Sequence, residues 1–84
     1  MIINQPLISL VSLKDHECAI IRMLKGGHGL TKQLMILGLT PGAEVIMEHN
    51  YHHGPLLIAL GDSRLAIGRG EAAKVIVQRT RHNP

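Results

Sequence analysis

The sequence predicts a mostly β fold: a strongly bent antiparallel sheet closed as a small barrel, with one inserted α-helix and one short helical turn. Three observations carry this. Short apolar runs are separated by turns rich in glycine and proline. Only one segment repeats its leucines at helical spacing. The gaps between the later runs are too short for the crossovers that parallel strands need, so neighbours must pair antiparallel. Closing such a sheet hides its edges.

The elements follow in order. Leu7 to Val11 reads as a short strand or arm, and Lys14-Asp15-His16 as a turn. Cys18 to Leu24, apolar apart from Arg22, is a strand. Gly26-Gly27-His28-Gly29 breaks the pattern as a strand-to-helix turn. Leu30 to Leu37 is the helix: Leu30, Leu34 and Leu37 recur at i, i+4, i+7 and line a core-facing stripe. Its start lacks a good side-chain cap. Gly38 suits the left-handed position just past the helix end, where the following Leu39 packs back on Leu34. Pro41-Gly42 fits a type II turn.

Three further strands are expected. Ala43 to Tyr51 leads through a His52-His53-Gly54-Pro55 turn to Leu56–Leu60. A Gly61-Asp62-Ser63 turn then leads to 64–67, where Leu65 and Ile67 alternate with Arg64 and Ala66. Residues 70–73 make a helical turn, 74–79 a last strand, and Arg81 to Pro84 a polar tail. The whole of 1–84 is expected to be one domain with its core at about 7–79.

Composition excludes several functions. Phe and Trp are absent and Tyr51 is the only aromatic residue, so the core must be Leu, Ile, Val, Met and Ala. Stacking nucleic-acid bases on aromatic rings is close to excluded. The net charge of +3 is spread along the chain without a basic block, a weak nucleic-acid signal. Cys18 is the single cysteine, which forbids an internal disulfide and suits a reducing compartment. No signal peptide is visible and no run approaches the roughly 20 apolar residues of a membrane span. A cytoplasmic location without membrane insertion is therefore expected.

Catalytic constellations are missing from the sequence. No phosphate-binding Gly-x-x-x-x-Gly-Lys-Ser/Thr loop occurs. Asp15 and Glu17 read as solvated charges, and no Ser-His-Asp or Cys-His set can be assembled. An enzyme is not expected, nor a cofactor. His49, His52 and His53 fall close together beside Glu48, and imidazole suits zinc, iron, copper and nickel. A site needs three or four converging ligands, however, and adjacent strand residues point to opposite faces, so the ordinary reading is a solvated turn with no metal. A small metal-binding chaperone using the His49–His53 turn, and a nucleic-acid-binding barrel, are the alternatives. The outer side of the helix is more informative. Met35 and Ile36 flank Lys32 opposite the leucine stripe. Together with Leu39 they are candidate contacts for a partner or a second copy, unless residues 1–3 cover them.

The order of motifs resembles one known family. Leu13-Lys14-Asp15-His16-Glu17-Cys18-Ala19-Ile20-Ile21 is followed by Gly26-Gly27-His28-Gly29-Leu30. Next comes Leu34-Met35-Ile36-Leu37-Gly38-Leu39-Thr40-Pro41-Gly42-Ala43-Glu44-Val45, then Gly54-Pro55-Leu56. Leu65-Ala66-Ile67-Gly68-Arg69 and Glu71-Ala72-Ala73-Lys74-Val75-Ile76-Val77 complete the set. Together they are similar to the FeoA family, and the Leu-x-x-Leu-Gly-Leu-x-Pro-Gly run from Leu34 to Gly42 is the most specific part. The resemblance implies an SH3-like barrel with a helix inserted between its first main strands. It also implies a cytosolic adaptor or regulator of a membrane ferrous-iron transporter of the FeoB type, which carries a cytosolic G domain. Met35 and Ile36 depart from the family pattern, in which those positions are commonly small or charged.

Overall fold

The computed structural model of the protein describes residues 5–51 and 53–80. Within them the chain runs β1 (Leu7–Ser9), a 3₁₀ turn (Leu10–Ser12), β2 (Cys18–Leu24), α1 (His28–Ile36), β3 (Glu44–His49), β4 (Leu56–Leu60), β5 (Ser63–Ile67), α2 (Arg69–Ala72) and β6 (Val75–Arg79). The strands form one antiparallel sheet in the order β1-β6-β2-β3-β4-β5. The expected class holds, with one correction. No ladder joins β1 to β5 among the described residues, so the sheet curls without closing. The 3₁₀ turn packs on α2 instead, which ties the β1 end to the segment leaving β5.

Two irregularities bend the sheet. Ile21 pairs Val77 and Met23 pairs Ile76, which leaves Arg22 as an extra residue in β2. Met47 pairs Ile58 and His49 pairs Leu57, which leaves Glu48 extra in β3. An added residue kinks its strand and raises the local twist. The bulge at Arg22 also explains why Arg22 and Met23 are both exposed within a strand that otherwise alternates.

The first apolar run behaves differently from a simple strand. β1 stops at Ser9, whose Oγ accepts the Val11 N–H at 3.3 Å and caps the 3₁₀ turn. That turn swings Leu10 into the core, where it is fully buried beside Leu13.

The core is aliphatic, as the composition requires: Leu10, Leu13, Ile21, Leu39, Val45, Met47, Leu56, Ile58, Val75 and Val77 are wholly buried. Strand alternation supplies most of it. Val45 and Met47 point in while Glu44 and Ile46 point out, and Ile67 points in while Ala66 points out. The β4–β5 hairpin turns on Gly61-Asp62, with Leu60 opposite Ser63 and Gly61 at φ 60°, as a type II′ turn requires at its first central residue.

A candidate docking face on the inserted helix

Helix α1 begins at His28, two residues earlier than the leucine spacing alone suggests, with Gly27 as an N-cap that offers no side-chain bond. Its end is closed by backbone geometry. Gly38 has φ 96°, its N–H donates to Met35 O at 2.9 Å, and the Leu39 N–H donates to Leu34 O at 3.0 Å. This is the paired-bond stop in which the residue after the left-handed glycine folds back on the helix. Gly42, also at φ 96°, completes the type II turn, with the Ala43 N–H donating to Thr40 O at 3.0 Å.

That stop decides which side chains are left outside. Leu34 is buried and Leu30 is partly buried against the core. Leu37, expected on the core stripe, is instead 46% exposed. The reason is that α1 ends at Ile36 and Leu37 is its C-cap, so the next inward anchor is Leu39 beyond the turn. Leu39 was an expected partner contact; with no exposed surface it cannot serve as one. Met35 and Ile36 lie where the spacing put them, 46% and 75% exposed.

Met35 and Ile36 therefore form, with Leu37, an apolar run at the helix end. A shallow hollow of about 410 Å³ is lined by His28, Thr31, Lys32, Met35 and Ile36, residues that share one side of α1 at helical spacing. Leu37 turns the other way, towards a smaller cleft of about 120 Å³ whose walls include Gln33, Ala66 and Glu71. Leu37 is the exposed apolar residue that the leucine stripe had placed in the core. Its signal was present: a leucine just before a left-handed glycine is a C-cap, not a stripe position. Residues 1–3, expected as an internal cover for this face, lie outside the described residues.

A second feature joins the residue after β3 to the 10–17 segment and α2. Asn50 follows β3 and spans three segments. Its N–H donates to Asp15 Oδ1 at 2.7 Å, and its Nδ2 donates to Val11 O at 2.9 Å and Leu13 O at 2.6 Å. Arg69 Nη2 donates to Asn50 Oδ1 at 3.0 Å. Asp15 and Glu17 are thus not idle surface charges. Glu17 accepts from Lys14 N at 2.7 Å and from Arg79 Nε at 2.8 Å. Partial burial pushes its carboxyl up, but these bonds and the nearby cations outweigh that and hold it below its ordinary value. The whole arrangement braces the 10–17 segment.

The histidines do not gather into a site in the described residues. His49 and His53 are exposed, and the His49 ring stacks on Tyr51 at 5.4 Å and 6°. His52 lies outside the described residues. Among the described residues no three His, Cys, Asp or Glu side chains are placed to hold a metal ion. Burial and then the Glu44 carboxylate push the Cys18 thiol up, the opposite of what activates a nucleophilic cysteine. None of the described helices is long and apolar enough to cross a membrane.

A curled antiparallel sheet with a helix inserted between its second and third strands, presenting an apolar helix face, defines a small SH3-like domain. The chain belongs to the FeoA family, whose domain model matches residues 8–79. It is 32% identical to a candidate Fe(2+) transport protein A of Methanocaldococcus jannaschii over 69 residues, which covers 82% of this chain and 83% of the relative. Among solved structures it superposes on an iron uptake regulatory protein, FeoA, with a TM-score of 0.85 at 32% identity, covering 89% of this chain and all of the other. It also matches Stenotrophomonas maltophilia FeoA, a zinc complex described as an SH3 domain protein, with a TM-score of 0.77 at 28% identity over 88% of this chain and 96% of the other. Membership in this family links the chain to ferrous-iron transport.

Proposed function

We propose that this chain is a non-catalytic cytoplasmic adaptor of ferrous-iron transport, acting by binding the cytosolic region of a FeoB-type transporter that carries a G domain. The observation that carries this reading is the exposed Met35–Ile36–Leu37 run on the helix of a FeoA-family domain. Burying a side chain such as Met or Ile is worth about 1.5–3 kcal/mol relative to leaving it in water, a gain open to whatever covers the face. The Stenotrophomonas relative is itself described as a candidate ferrous-iron transport activating factor, which agrees with action on a transporter.

The test is an NMR titration of the full chain with the cytosolic region of its cognate transporter. Shifts should concentrate on α1 and be lost when Met35→Gln and Ile36→Gln are combined. A saturating complex that leaves α1 unperturbed would move the docking site elsewhere. No complex at all at high micromolar concentration would remove the adaptor reading.

A further inference from the structure

We propose that the Met35–Ile36 face of α1 receives an acidic amphipathic helix of a partner protein. This rests on the docking reading above and adds the chemistry of the occupant. From Cys18 to Ala43 the chain has no Asp or Glu, yet Arg22, Lys25 and Lys32 fall within it. Lys32 borders the same hollow as Met35 and Ile36. Lys25 and Lys32 are exposed and neither joins an ion pair among the described residues. The two ion pairs among the described residues, Glu17 with Arg79 at 2.8 Å and Glu48 with Arg64 at 2.9 Å, involve neither lysine. Glu71 lines the cleft on the opposite flank of the helix. The face is thus apolar with an unbalanced cationic border, and its complement is apolar with an anionic border.

Length and backbone chemistry favour a helix as the occupant. His28, Lys32, Met35 and Ile36 span nine positions, about 12 Å along the axis, which is about two turns of a facing helix. The backbone of α1 bonds within itself, so it offers no ladder to an extended peptide. Its side-chain ridges offer a groove for residues spaced i, i+3, i+4, i+7. Contact through Met suits such a face, because its flexible thioether adapts to the opposing side chains.

Two blocked peptides of about 15 residues test this, long enough to form helix when bound. Both carry a leucine stripe at i, i+3, i+4, i+7; the flanking residues are Glu in one and Lys in the other. Each is titrated into the isotope-labelled full chain at physiological salt. The Glu peptide should shift the His28–Leu37 resonances saturably, and the Lys peptide should not. Lys25→Glu with Lys32→Glu should weaken the Glu peptide about tenfold or more. Met35→Gln with Ile36→Gln should abolish its binding, with spectral dispersion retained as the check on folding. Equal binding of both peptides, or undiminished affinity after charge reversal, overturns the acidic-helix proposal. The docking reading would survive that result, because the transporter titration judges it separately. No saturable response of α1 to the Glu peptide also overturns the proposal, and so does a response confined to vesicles containing phosphatidylglycerol, which would assign the face to a lipid surface.

Discussion

Leu39 donates its backbone N–H to the Leu34 carbonyl at 3.0 Å, and both side chains belong to the buried core. The contact is possible only because Gly38 between them reverses the chain at φ 96°. A Cβ on residue 38 would also lie 2.9 Å from Leu60 Cδ2. Gly38→Ala should therefore destabilise by about 1–2 kcal/mol from the left-handed backbone alone. For a domain this size that lowers the melting temperature by about 4–8 °C per kcal/mol. Thermal unfolding by circular dichroism measures it, and an unchanged melting temperature would show that the helix stop relaxes at no cost.

Asn50 holds two carbonyls of the 10–13 segment through one amide and accepts from Arg69 through its oxygen. Replacing it with Ala leaves those carbonyls and the guanidinium without these partners. Losing a partner to a buried polar group costs about 1–3 kcal/mol. Asn50→Ala should therefore shift the urea midpoint clearly downwards, and Asn50→Asp should recover only part of the loss because it has no N–H to give. A midpoint within error of the parent would mean that water replaces the side chain fully.

Glu17 makes the acid limb of stability testable. Its carboxyl is held below the ordinary glutamate value of about 4.3, so the folded state binds its proton less readily than the unfolded state does. The contribution is present above that ordinary value and is lost as pH falls through the depressed one. Wild type should therefore exceed Glu17→Gln in urea midpoint at pH 7, and the gap should narrow by pH 3. A gap that stays constant would assign the loss to packing and not to charge.

Much of this architecture was legible in the sequence because its causes are local. β2 and β4 have the bounds their apolar runs suggest, and Gly38 and Pro41-Gly42 do what their backbone freedom and restriction dictate. What escaped depends on distance or on chain ends. Arg79 reaches Glu17 from 62 positions away and Asn50 reaches Asp15 from 35, separations that no periodicity encodes. Sheet closure escaped for the same reason, since it depends on how β1 and β5 are placed after four other strands intervene. The exposed apolar face of α1 was half legible. Met35 and Ile36 follow from helical angles, whereas the exchange of roles between Leu37 and Leu39 depends on a helix that stops one residue sooner than its stripe.

The helix itself provides the sharpest contrast between neighbours. Leu34 is 2% exposed, while Ile36, two positions on, is 75% exposed. Leu34→Ala removes buried volume next to Leu39 and should cost about 2–5 kcal/mol. Met35→Lys with Ile36→Glu changes two side chains that face outwards, and surface substitutions of this kind usually stay within about 0.5 kcal/mol. The double variant should melt close to wild type, keep a dispersed spectrum, and lose binding to the transporter's cytosolic region or to a second copy of the chain. Differential scanning calorimetry and titration on the same samples separate the two effects. A large drop in melting temperature with binding intact would place both residues in the intramolecular core, and the face would then be cover for the barrel and not a surface for a partner.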